Sequence, residues 1–135
     1  QENFKPDTVM TLQNTSPFRN SIHIDKAYSL FKKGNFDSVI SGFKSKFLLW
    51  EKKGKHVMPI NYNPSKRPRR QEMQKYFIEN GAIYITKYDS LKKFKSRVCG
   101  TVGVYEMSQK SSLEIDNLFD IYLAKQFLKS GELVL

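Results

Sequence analysis

The sequence has 135 residues, 39% of them apolar, 13% aromatic and 27% charged, and its 23 Lys and Arg against 13 Asp and Glu give a formal charge of +10. That length suits one globular domain, residues 1–135, and the apolar and aromatic content exceeds what a disordered chain carries. No segment approaches the roughly 20 apolar residues needed to span a bilayer. The single Cys99 excludes an internal disulfide, and Gln1–Asp7 lacks the apolar run of a signal peptide, so a reducing cytoplasmic setting is expected.

In chain order, the apolar run Thr8–Leu12 before Asn14-Thr15-Ser16-Pro17 predicts a short buried strand ending in a loop. Ile24, Ala27, Tyr28 and Phe31 then recur at i, i+3, i+4 and i+7. With Asn20 or Ser21 as cap and Lys32-Lys33-Gly34 as stop, they predict a helix of about three turns. Phe36–Ser41 reads as a second strand, and strand, helix, strand in succession predicts a βαβ unit in a parallel sheet. Phe47–Trp50 and His56–Ile60 read as a hairpin whose turn is Glu51–Lys55. The Pro-punctuated segment Asn61–Gln71 reads as an irregular loop. Ala82–Thr86 and Val102–Met107 are strand-like, and Tyr88–Phe94 reads as a short helix. Leu118, Ile121, Tyr122, Lys125 and Leu128 mark one face of a final helix, opened by Asp116 or Asn117 and stopped at Gly131.

The positive charge is local. Residues 32–75 hold twelve Lys and Arg against three acids, whereas the flanking segments are nearly neutral. Such a field attracts anions, whether nucleic acid, phosphorylated or carboxylated small molecules, or an anionic surface. Lys66-Arg67-Pro68-Arg69-Arg70 reads either as a nuclear-localisation or nucleic-acid patch or as a solvated loop, and no interleaved aromatic or recognition helix accompanies it. Glu114 and Asp116, at i and i+2 with Asp120 close by, read either as hard-oxygen ligands for Mg²⁺ beside a phosphate or as acids gathered at a helix start. His23 and His56 lie in unrelated elements and read as structural, and Cys99 has no neighbouring base. No Gly-rich phosphate loop occurs.

Four ordered motifs carry a resemblance: Leu12–Arg19, Asn61–Gln71, Glu79–Ile85, and Tyr105–Met107 together with Glu114–Asp116. On these the sequence resembles the acylneuraminate cytidylyltransferases, the CMP-sialic acid synthetases, in their carboxy-terminal portion. The resemblance implies an α/β, Rossmann-like nucleotidyltransferase fold of the nucleotide-diphospho-sugar transferase type. It would have a mixed sheet with helices on both faces and a protruding dimerisation hairpin over about residues 43–71, with the amino-terminal nucleotide-binding part missing. The implied reaction transfers CMP from CTP to the anomeric hydroxyl of a sialic-acid-like nonulosonic acid and releases pyrophosphate, with weak or no turnover by this chain alone.

By similarity, Gln13 contacts the acidic nine-carbon sugar, Thr15 and Ser16 shape its pocket wall, and Asn80 and Tyr84 are further sugar-side contacts. Arg70 faces the sugar carboxylate, and Glu114 and Asp116 hold Mg²⁺, so that Arg70 and Asp116 are the expected catalytic groups. Lys44 and Lys46 are expected to serve a site across a homodimer interface. The implied location is cytoplasmic, or nuclear for an animal-like source, with no nucleic-acid or membrane partner. Two residues depart from the family pattern: Ile78 stands where Arg or Tyr is common, and Glu114 where Asp is common. The alternative reading is a non-catalytic module that binds nucleic acid or another polyanion through Lys66–Arg70.

Overall fold

A computed structural model describes residues 4–131 of the chain. Within it lie two compact units, one formed by Lys44–Ile78 and the other by the chain on either side of that insert. The outermost residues of the expected 1–135 domain lie outside the described range.

The larger unit opens with strand β1 (Thr8–Thr11) and helix α1 (Ser21–Lys33). Asn20 caps α1 by accepting from the His23 backbone N–H, and the His23 imidazole Nδ1 accepts in return from the Asn20 N–H. This reciprocal pair satisfies two of the donors that a helix start leaves open, and it requires a neutral imidazole. Strand β2 (Ser38–Ser45) follows, and the sheet is completed by β5 (Tyr76–Lys87) and β6 (Val102–Glu106) in the order β1-β5-β2-β6. β1 runs antiparallel to β5, with Thr8 opposite Lys87, and β2 runs parallel to β6, with Ser38 opposite Val102. The sheet is therefore mixed.

The expected parallel sheet is corrected here. β5 lies between β1 and β2, so those two strands are not neighbours, and the parallel partner of β2 is β6. The physical reason is the buried centre of β5: Ala82, Ile83 and Ile85 are completely buried, and a strand covered in this way occupies the sheet interior rather than its edge. They pack with Val39, Met107 and the Ala27 and Phe31 side chains of α1 in one core. Tyr28, expected on the packed face of α1, is exposed at its margin.

Helix α2 (Tyr88–Phe94) turns out of β5, and helix α3 (Leu118–Ser130) closes the unit. Asn117, not Asp116, caps α3, and the Asp120 carboxylate accepts from the backbone N–H groups of Asp116 and Asn117. The predicted face of α3 is also corrected. Leu118, Ile121, Tyr122 and Leu128 are exposed, while Ala124 is buried and the Phe127 ring meets Phe18 edge-on at 6.2 Å. Apolar residues stand on both sides of this helix, so periodicity alone does not choose the packed side.

The smaller unit holds the hairpin of β3 (Trp50–Lys53) and β4 (His56–Pro59), pairing Lys53 with His56. Its turn is Gly54-Lys55 alone, with Gly54 at φ +61°, so Glu51–Lys53 belong to the strand rather than to the expected five-residue turn. A 3-10 turn, Pro64–Lys66, starts the basic loop and is capped by Asn63.

Candidate functional site

Three segments of the larger unit converge at Gly81. The first is the loop after β1. The Arg19 guanidinium donates to the Gln13 carbonyl at 2.7 Å and to the Ala82 carbonyl at 2.9 Å, pinning the loop against the middle of β5. The second is β5 itself, where Gly81 at φ +62° adopts the left-handed conformation that glycine tolerates at bends in strands. The third is the segment ahead of α3, held to the first by the Ile115 N–H donating to the Thr15 carbonyl at 2.8 Å. The side-chain oxygens of Gln13 and Glu114 occupy the space that a Cβ on Gly81 would fill. The glycine thus permits a wall in which an amide, a carboxylate and bare backbone meet. Ser16, in the same loop as Gln13, is buried, and among the described residues its hydroxyl has no hydrogen-bond partner.

Beneath Gly81, Asn80 points inward and is 2% exposed. Its Oδ1 accepts from the Ser41 hydroxyl at 2.6 Å and from the Ala82 N–H, and its Nδ2 donates to the Ser112 hydroxyl at 2.8 Å and meets the Met107 sulfur. Every donor and acceptor position of the amide is committed inside the protein. Ser41 relays further, accepting from the Ile83 N–H at 2.8 Å. This network joins β2, β5 and the loop after β6, and it fixes the backbone that precedes Gly81.

Tyr84, four residues on from Asn80, is 3% exposed, and its hydroxyl donates to the Glu79 carboxylate. Burial, then the bond to Glu79 and that carboxylate's charge, push the phenol up to about 12. Tyr84 is therefore a fixed neutral donor at ordinary pH and no base. Burial also holds the Glu114 carboxyl above its usual range, and the negative charges of Asp116 and Glu79 add to that. Crowded carboxylates of this kind are an arrangement that a divalent cation relieves. Asp116 is exposed, whereas Asp120 is committed to the α3 cap. Among the described residues no set of three or more His, Cys, Asp or Glu is gathered to hold a metal. The Glu114 and Asp116 pair fits an ion that takes one or two protein carboxylates and fills its shell with water and phosphate oxygens.

Arg70, Lys44 and Lys46 belong to the smaller unit. There a cavity of about 510 Å³ is lined by Lys46, Phe47, Leu48, Arg67, Pro68, Arg69, Arg70 and Met73, with no acidic side chain. The Lys46 ammonium donates to the Arg70 and Gln71 carbonyls at 2.8 and 2.9 Å, tying the basic loop to the segment just ahead of the hairpin within this unit. The Lys44 ammonium stands over the Phe77 ring at 5.3 Å. Sequence reasoning had not assigned roles to Arg19 or Glu79. Their signal, an arginine six residues after Gln13 and an acid beside Asn80-Gly81, acquires meaning only once the loop and strand are adjacent.

No family model matches the chain. A search of solved structures finds the crystal structure of 4-diphosphocytidyl-2C-methyl-D-erythritol synthase from Anaerococcus prevotii. It superposes on 94% of this chain and 62% of its own with a TM-score of 0.60 at 17% identity. The chain thus shares the mixed α/β fold of that synthase. Curated relatives are nearer in sequence. The chain is 32% identical over 124 residues to N-acylneuraminate cytidylyltransferase A of Danio rerio, covering 89% of this chain and 29% of that protein. It is likewise 32% identical to N-acylneuraminate cytidylyltransferase of Oncorhynchus mykiss and 30% identical to that of Streptococcus agalactiae serotype III, over 89% and 81% of this chain. Over most of its length the chain is a homologue of N-acylneuraminate cytidylyltransferases, and it spans under a third of the length of these relatives.

Proposed function

We propose that this chain carries the sugar-acid side of a cytidylyltransferase. In the reaction, the anomeric hydroxyl oxygen of a sialic-acid-like nonulosonic acid bonds to the α-phosphorus of CTP, the bond to the β-phosphate oxygen breaks and pyrophosphate leaves. The hydroxyl proton passes to a base or to water. The observation that carries this reading is the wall at Gly81, where the Gln13 and Glu114 oxygens meet over a glycine whose positive φ would strain any side chain put in its place, in a segment homologous to cytidylyltransferases.

In this reading the Gln13 amide orients sugar hydroxyls, Thr15 and Ser16 shape the adjoining wall, and the buried Ser16 hydroxyl is free to meet a ligand oxygen. Tyr84 holds Glu79 in place, and Asn80 acts from beneath as a positioning residue. Glu114 and Asp116 would hold Mg²⁺, which when bound neutralises phosphate charge. Arg70 offers a planar fork to an anion, the geometry that suits carboxylate or phosphate. A homodimer in which Lys44, Lys46 and Arg70 serve a site across the interface belongs to the same proposal.

Competition tests it. N-acetylneuraminic acid, followed by ligand-observed NMR, is expected to bind and to be displaced by CMP-N-acetylneuraminic acid, while a neutral hexose is not expected to bind. Failure of either acid to bind contradicts the reading. The acid-free lining of the cavity around Arg67–Arg70 favours a second reading, capture of a polyanion. That reading requires binding to generic single-stranded nucleic acid whose affinity falls steeply with salt.

A further inference from the structure

We propose that Arg97, outside all the residues so far assigned to the site, is its specificity residue for an acid: its guanidinium, seated on the Tyr84 ring, receives the substrate carboxylate. This rests on the sugar-acid reading above.

The geometry begins with the backbone. After α2 the chain turns at Lys95, which has φ +51°, and enters a loop anchored at three points to the sheet. The buried Thr86 hydroxyl donates to the Arg97 carbonyl. The buried Ser38 hydroxyl donates to the Cys99 carbonyl at 2.8 Å and accepts from the Cys99 N–H at 3.1 Å. The Asp37 carboxylate accepts from the Thr101 N–H at 2.9 Å. A loop bound at residues 97, 99 and 101 fixes where the Arg97 side chain starts, and its guanidinium carbon stands 3.9 Å from the centre of the Tyr84 ring. The ring is itself fixed, because Tyr84 is buried and its hydroxyl is bonded to Glu79.

A guanidinium stacked on an aromatic face keeps its N–H groups at its edge. Arg97 is exposed, and among the described residues no carboxylate lies within ion-pair distance of it. The fork is therefore oriented yet uncommitted, which is what bidentate capture of a planar anion needs. The charges around it give the reason. The acids of this region are Glu79, Glu114 and Asp116, and an acidic sugar approaching the Gly81 wall would meet repulsion from all three. Glu79, Glu114 and Arg97 all act on the Tyr84 phenol, and Arg97 is the positive one of the three. It supplies the local attraction that lets a carboxylate settle beside a carboxylate-lined wall.

The test compares N-acetylneuraminic acid, its neutral methyl ester and CTP by ligand-observed NMR on the whole chain, for wild type, Arg97→Ala and Arg97→Lys. Arg97→Ala is expected to weaken the acid at least tenfold and to leave the ester and CTP within twofold. Arg97→Lys, which keeps the charge and loses the fork, is expected to fall between. Equal affinity of wild type and Arg97→Ala for the acid overturns the role of Arg97 alone. An equal loss for acid and ester overturns it in favour of packing on Tyr84, and a loss for CTP but not for the acid overturns it in favour of a phosphate contact. Wild type that binds neither acid nor ester contradicts the sugar-acid reading and this role with it.

Discussion

The two units hold their polar groups in opposite ways. In the larger one, Asn80, Ser41 and Ser112 are buried and bonded to one another, and they fix a site wall from below. In the smaller one, the bonds that shape the chain lie at the surface. Asn61 accepts from the Leu49 N–H and donates to the Phe47 carbonyl, and Lys46 caps two loop carbonyls, while Arg67, Arg69 and Arg70 stay exposed. A buried network holds geometry because each unpaired member is costly, whereas exposed bonds compete with water and hold it loosely. A site that must orient a sugar is well served by the first arrangement, and a basic surface that must attract an anion needs only the second.

Removing one member of each network should break this contrast unequally. Asn80→Ala leaves Ser41, Ser112 and the Ala82 N–H without their partner, and an expected loss of about 3 kcal/mol should appear as a lower urea midpoint for global unfolding. A midpoint within error of wild type would show that the network is incidental. Asn61→Ala strips two exposed bonds, each worth about 1 kcal/mol, at the base of the hairpin. Hydrogen exchange should speed up within residues 47–61 while the global midpoint stays put, and a global shift would deny the smaller unit its local character.

A smaller effect separates the α1 cap from both. Burial, with the nearby Lys26 charge second, lowers the His23 imidazole below its usual value, and the folded state needs it neutral to accept from the Asn20 N–H. The unfolded chain therefore binds the proton more readily. Stability from this cap is present above the ordinary imidazole value of 6.5 and declines as pH falls through the lowered folded value. His23→Ala should flatten that part of the stability profile at a cost of about 1 kcal/mol at pH 8. An unchanged profile would remove His23 from the account.

Much of the larger unit was legible because its signals are local. Asn20 and Lys32-Lys33-Gly34 bound α1 where the period predicted, and Tyr88–Phe94 is the helix that the sequence suggested. The strand order was not legible, since the placement of β5 between β1 and β2 is a long-range choice that no window of sequence contains. The site was half legible. The spacing of Glu114 and Asp116 marks a carboxylate pair, and the resemblance over Glu79–Ile85 marks Asn80 and Tyr84. That Gln13, Gly81 and Glu114 share one point, or that Arg19 and Arg97 reach β5 from separate loops, follows only from the fold.

The central claim is that the Gly81 wall binds an acidic sugar, and its most direct test is a titration of wild type, Gln13→Ala and Gly81→Ala with N-acetylneuraminic acid. Gly81→Ala sets a Cβ against the Gln13 and Glu114 oxygens at a positive φ, so it should displace both side chains and weaken binding about 100-fold. Gln13→Ala leaves the backbone alone and should cost about tenfold through one lost hydrogen bond. Saturable binding by wild type with these losses is the predicted result. Wild-type binding that survives both substitutions would contradict the account.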